Sequence, residues 1–196
     1  MNDGWRSRLL PSHPGPLFLS AVILALAHPP FHLLVPSFVG LVPFALWLEG
    51  LPPGAEGRSE ARRGGFFLGL VYYALVFYWL LVALVYYTPV AVLGFLAPVL
   101  ILSGFLAVAT LGMRVVRVRL GWPVWLALPV FWTANEWLRA NLPQVGFPWM
   151  QLGDTLTGFP WLIGAADLVG SRGIGFWLAL VNALIALGIQ AWRERR

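Results

Sequence analysis

The feature that most constrains this chain is a series of long apolar stretches punctuated by Pro, Gly and Arg, because an apolar helix needs about 20 residues to cross about 30 Å of hydrocarbon. Six stretches follow one another, at about 16–28, 34–48, 65–87, 89–113, 122–141 and 174–192. They run end to end through 196 residues. The expectation is therefore one membrane domain over 1–196, all-α, with about six transmembrane helices. Composition excludes a soluble fold. With 59% hydrophobic and 11% charged residues, against roughly 45–50% and about 25% in soluble domains, too little polar surface remains to coat a core.

The first two stretches are short for full crossings. His28-Pro29-Pro30-Phe31-His32 lies between them, which suggests a tight pair whose turn sits inside the interface. The third stretch carries Tyr72, Tyr73, Phe77, Tyr78, Trp79, Tyr86 and Tyr87, and a tight turn at Pro89 leads to the fourth. One long connection remains, 142–173. It is aromatic and rich in Gly and Pro, and long loops held by a rigid scaffold are where function concentrates.

Short cytoplasmic loops hold an excess of basic residues. Arg6 and Arg8, then Arg58, Arg62 and Arg63, then Arg114, Arg117 and Arg119, then Arg193, Arg195 and Arg196 fall on one side, 11 of the 13 arginines; Arg139 and Arg172 lie opposite. Both termini are thus expected in the cytoplasm, and the 142–173 loop outside it. The net charge of +5 is spread over the ends of apolar stretches instead of forming one basic face, which argues against nucleic acid as a partner. The start also imitates a cleavable signal peptide, with Ala25-Leu26-Ala27 after an apolar run. Cleavage would leave an odd number of crossings and spoil the arginine alternation.

Ionisable groups near hydrocarbon are costly and mark candidate sites. Glu136 and Arg139 are three apart near the outer end of the fifth stretch, a spacing that places them on one helical face. They read either as a salt bridge anchoring the helix end or as a pair whose Arg binds an anionic lipid head. The segment Gly146-Phe147-Pro148-Trp149-Met150-Gln151-Leu152-Gly153 follows. Trp149 and Trp161 suit anchoring at headgroup depth. The functional alternative is that this segment dips back and frames an opening through which a lipid chain enters sideways, packed on the spans so that its backbone is satisfied. The candidate binding residues are Glu136, Arg139, Gly146, Phe147, Pro148, Trp149 and Gly153.

Other patterns carry less. His28 and His32 have metal-ligand spacing, but Pro29 and Pro30 break the helix between them. Gly65 and Gly69 form a small-xxx-small pair, which means close helix packing. Residues 170–175 match neither phosphate-loop spacing, and no G-x-S-x-G element exists. Without Cys there is no disulfide, thiolate metal site or cysteine nucleophile. No catalytic residue, metal or cofactor is assigned.

Several stretches together resemble the membrane part of the bacterial apolipoprotein N-acyltransferases: Pro29-Pro30-Phe31 with 38–43, Ala61-Arg62-Arg63-Gly64 through Gly69 with Tyr78-Trp79-Leu80, Glu136-Trp137-Leu138-Arg139, Gly146-Phe147-Pro148-Trp149 with Leu152-Gly153, and Ala166-Asp167 through Val181-Asn182-Ala183. The resemblance implies inner-membrane location and acyl transfer from a phospholipid to the N-terminal cysteine of a diacylated lipoprotein through an enzyme thioester. It also implies a periplasmic nitrilase-like domain with a Glu-Lys-Cys triad, inserted between the last two of eight spans. This chain has about six stretches and neither Lys nor Cys. Asp154-Thr155 stands where the family usually has Tyr-Ser, Gly164 where Gln is common, and Gly175 where Ser is common.

The expectation is the membrane part of a split or truncated N-acyltransferase, inactive alone, that admits phospholipid and lipoprotein for a separate nitrilase-like subunit. The alternative is a non-enzymatic scaffold or lipid-binding protein derived from that family. A small transporter fits less well, since Asn135, Glu136, Asp167 and Asn182 are the main polar groups on offer.

Overall fold

The computed structural model describes residues 10–143 and 146–195; Arg6, Arg8 and Arg196 of the orientation argument lie outside them. The described residues form helices and no strand: α1 (Pro14–Ala27), α2 (Leu34–Val39), α3 (Val42–Glu49), α4 (Gly54–Val76), α5 (Tyr78–Val85), α6 (Ala91–Leu120), α7 (Val124–Asn141) and α8 (Ala166–Glu194), with 3₁₀ turns at Leu152–Leu156 and Pro160–Leu162. Each expected stretch contains a helix, and the chain is an all-helical membrane protein. Length and hydropathy suit α6 and α8 for a full crossing, and the α4–α5 pair, bent by 48°, makes a third candidate. At 1.5 Å per residue α1 spans only about 21 Å.

The boundaries differ where local chemistry overrides hydropathy. α4 begins at Gly54, eleven residues before the apolar stretch, because its first turns are charged yet still helical, with Arg63 paired to Glu60 at 2.8 Å. The second stretch is broken at Gly40-Leu41, where Pro43 has no N–H to offer the preceding turn. α8 starts at Ala166, which shortens the expected 142–173 loop, and it kinks at Gly170, whose φ of 68° is open to glycine at little cost.

Close approach of the helices depends on small residues. A Cβ on Gly65 would fall 2.5 Å from Thr110 Oγ1, and one on Gly69 would fall 2.7 Å from Ser103 Cα, so the expected small-xxx-small pair does seat α4 on α6. Asn182 on α8 ties down the α2–α3 break: its Oδ1 accepts from the Leu41 N–H at 2.8 Å and its Nδ2 donates to the Ser37 carbonyl at 3.0 Å. Arginines expected only as orientation signals also hold the frame. Arg117 donates to the Leu48 carbonyl at 2.7 Å and pairs with Glu49, which places a cation at the C-terminus of α3. Arg114 donates to the Pro52 carbonyl in the α3–α4 connection.

Candidate functional site

Glu136 and Arg139 are both buried, at 3% and 1% exposure, on the inward face of α7. They do not pair as expected: the ion pairs seen among the described residues are Arg63–Glu60 and Arg117–Glu49. The two heads diverge because each is consumed by a different part of the following segment. Arg139 Nη1 donates to the carbonyls of Phe147 at 3.1 Å and Trp149 at 2.7 Å, and Nη2 to that of Met150 at 2.9 Å. The Phe147 N–H returns to the Arg139 carbonyl at 2.7 Å. Glu136 Oε1 accepts from Trp132 Nε1 at 2.9 Å and from the Leu152 N–H at 2.7 Å. One helical turn thus satisfies backbone polar groups at 147, 149, 150 and 152, which is what a segment folded back on a membrane bundle requires.

Two further devices hold the turn. Met150 has φ of 56°, a left-handed conformation costing about 1–2 kcal/mol for a residue with a Cβ, and the Arg139 bond to its carbonyl offsets part of that. The Gln151 N–H donates to Asp154 Oδ2 at 2.9 Å and the Asp154 N–H to the Gln151 carbonyl at 3.0 Å, which closes the start of the 152–156 turn, and Ser171 Oγ of α8 donates to Asp154 Oδ1 at 3.1 Å. Gly153 packs so closely on Ser171 that a Cβ there would stand 2.9 Å from its Oγ.

The seven candidate residues therefore divide. Glu136, Arg139 and Gly153 are buried and position the segment; Phe147 is half-buried; Gly146, Pro148 and Trp149 are exposed. Trp149 is 60% exposed. Its main chain is held by Arg139, while its ring meets only the edge of Phe147, at 5.1 Å between centroids. Behind it runs an aromatic column. Phe147 meets Phe77 at the α4–α5 bend, Phe77 stacks on Tyr73, Tyr73 adjoins Tyr72, and Tyr72 hydroxyl and His28 Nε2 share a 2.6 Å hydrogen bond. Arg139 stands 6.0 Å over the Tyr73 ring.

Sequence reading missed His28–Tyr72 and Asp154 as site members. An acid at Asp154, in the first turn where it can accept the Gln151 N–H, was a usable signal, whereas the His28–Tyr72 bond joins residues 44 apart and has no local signature. His32 turns elsewhere, toward Thr157 at 3.5 Å.

Glu136 Oε2 is buried without a partner, and a Cβ on Gly175 of α8 would stand 3.3 Å from it. That is the spacing a serine Cβ has when its hydroxyl donates at about 2.7 Å. Gly175→Ser is expected to exceed Gly175→Ala in stability by about 1–2 kcal/mol, because only the serine offsets its crowding with a bond. Thermal midpoints of the two variants in the same detergent check this.

An all-helical membrane bundle with a buried Glu/Arg turn pinning a folded-back aromatic segment defines the class of protein. The chain belongs to the apolipoprotein N-acyltransferase N-terminal domain family, whose profile matches residues 20–184. Proteins named apolipoprotein N-acyltransferase are similar to it: that of Geobacter metallireducens is 31% identical over 183 residues, covering 90% of this chain and 33% of that protein. Those of Caulobacter vibrioides and Chlorobaculum tepidum are each 30% identical, over 94% and 95% of this chain and 34% of either relative. The chain spans about a third of the length of these relatives.

Proposed function

We propose that this chain is the membrane part of an apolipoprotein N-acyltransferase, admitting phospholipid and diacylated lipoprotein for acyl transfer by a nitrilase-like catalytic unit supplied outside these 196 residues. The observation that carries the reading is the 146–153 segment: Arg139 and Glu136 hold its backbone against the bundle while Pro148 and Trp149 stay exposed beside the aromatic column. Such a segment gives an acyl chain an apolar wall, and the fixed backbone keeps that wall in place. In this reading six helical segments lie in the bacterial inner membrane, both termini are cytoplasmic, and the 146–153 segment faces the periplasm. A thioester mechanism needs a cysteine and an adjacent base, and the chain has neither Cys nor Lys. That absence also supports a second reading, a non-enzymatic lipid-binding scaffold of the same family.

The test is lipid binding and turnover by the purified chain in nanodiscs. Trp149→Ala is expected to weaken binding of a fluorescent diacylated lipopeptide about tenfold, the loss of one aromatic contact, with an unchanged melting midpoint. Equal loss of binding and stability would make Trp149 structural and remove the lipid opening. The chain alone is expected to leave the lipopeptide unacylated. Acylation on adding a nitrilase-like subunit supports the proposal, and tight binding with no acylation in its presence supports the scaffold.

A further inference from the structure

At the end of the bundle opposite the 146–153 segment, a small cleft of about 50 Å³ lies between the start of α4 and the end of α6, lined by Gly54, Arg58, Arg114, Val115, Val118 and Arg119. Three of its six lining residues are arginines, and none is acidic. Arg58 and Arg119 are exposed and make no hydrogen bond or ion pair among the described residues. Their neighbour Arg117 differs: it is spent on Glu49 and the Leu48 carbonyl.

Arg114 is the informative member. It is only 7% exposed, with one end fixed on the Pro52 carbonyl, yet its Nε–H is buried without a partner. α4 adds a second donor set. Its 23 residues begin at Gly54 behind Pro53, with no side-chain cap, so its first-turn N–H groups and its dipole face this end. Glu56, the acid of that first turn, lines the neighbouring cavity on the other side, with Glu60 and His13, and is no part of this cleft. Two unpaired guanidiniums, the partly buried Arg114 and an uncapped helix start meet at one concave place.

We propose that this cleft binds a phosphate-type anion, held by Arg58, Arg114 and Arg119 at the N-terminus of α4. Val115 and Val118 give it an apolar flank, so the anion can be a lipid phosphodiester whose chains run along α6, or a free phosphate. The site is independent of the lipid opening at the far end.

The test uses the full chain in neutral detergent, following the thermal midpoint against added phosphatidylglycerol, phosphatidylcholine or inorganic phosphate at constant ionic strength. Arg58→Gln/Arg119→Gln is the key variant, since both side chains are exposed and unpaired and the fold does not depend on them; Arg62→Gln/Arg193→Gln removes the same charge elsewhere. A rise in midpoint with phosphatidylglycerol but not phosphate assigns the lipid head, and a rise with phosphate assigns the soluble anion. In either case the apparent affinity is expected to fall at least about tenfold in Arg58→Gln/Arg119→Gln and by less than about twofold in the control. No rise with either anion, an equal rise with phosphatidylcholine, or an equal loss in both double variants would overturn the site, the last by showing diffuse charge only.

Discussion

Arg139→Met is expected to cost about 4 kcal/mol and to release the 146–150 segment while the helices stay assembled. The volume of the side chain is nearly kept, so packing against Tyr73 changes little. What is lost is the donor for three carbonyls, at 147, 149 and 150. Each bond to a charged donor is worth about 1.5–3 kcal/mol, and the three do not add because part of the freed segment rehydrates. Arg139→Lys recovers only part of the loss, since one ammonium cannot span carbonyls that the guanidinium reaches with two nitrogens. Glu136→Gln is the informative contrast. Both bonds to Glu136 end on Oε1 and none on Oε2, so an amide keeps the acceptor and costs under about 1.5 kcal/mol. Melting in detergent gives the energies, and hydrogen exchange at residues 147–152 locates the release. Unchanged exchange in Arg139→Met would mean that the segment is held by its aromatic packing alone.

This contrast shows which part of the site was legible in the sequence. The spacing of Glu136 and Arg139 put them on one helical face, and they are on one face; the step from shared face to ion pair failed because backbone carbonyls and N–H groups compete for the same heads. Sequence patterns show side-chain types, while the acceptors that captured Arg139 belong to the main chain, which looks the same at every position. Helix locations were legible for the opposite reason, since hydropathy registers removal from water, whether into lipid or into protein. Their ends were not. Charged residues at 56–63 end an apolar stretch without ending a helix, and α4 runs on through them. The segment's retreat onto the bundle could be argued from its Gly, Pro and aromatic content, but the left-handed turn at Met150 could not, because methionine does not favour that conformation.

The contact between α4 and α6 is where a single methyl group is expected to do the most damage. In lipid, helices gain little from burying apolar surface against each other, so association rests on close packing and satisfied polar groups. Here the polar groups are already satisfied within α6: Ser103 Oγ donates to the Val99 carbonyl at 2.6 Å and Thr110 Oγ1 to the Leu106 carbonyl at 2.8 Å. Their hydroxyls lie flat against their own helix and leave a shallow surface that only glycine matches. A Cβ on Gly69 meets Ser103 Cα at 2.7 Å, and a backbone atom cannot turn aside as a side chain can. The helices must part along their length. Gly69→Ala is therefore expected to cost about 3 kcal/mol, the upper end for overpacking, and Gly69→Val to prevent a folded product. A Cβ on Gly104 of the same α6 would have nothing within 4 Å, so Gly104→Ala should be neutral or stabilise by up to about 1 kcal/mol through helix propensity. Melting midpoints and the monodisperse fraction on size exclusion measure both. If Gly69→Ala melts with Gly104→Ala, the two helices have room to slide, and the small-residue contact is not what seats α4 on α6.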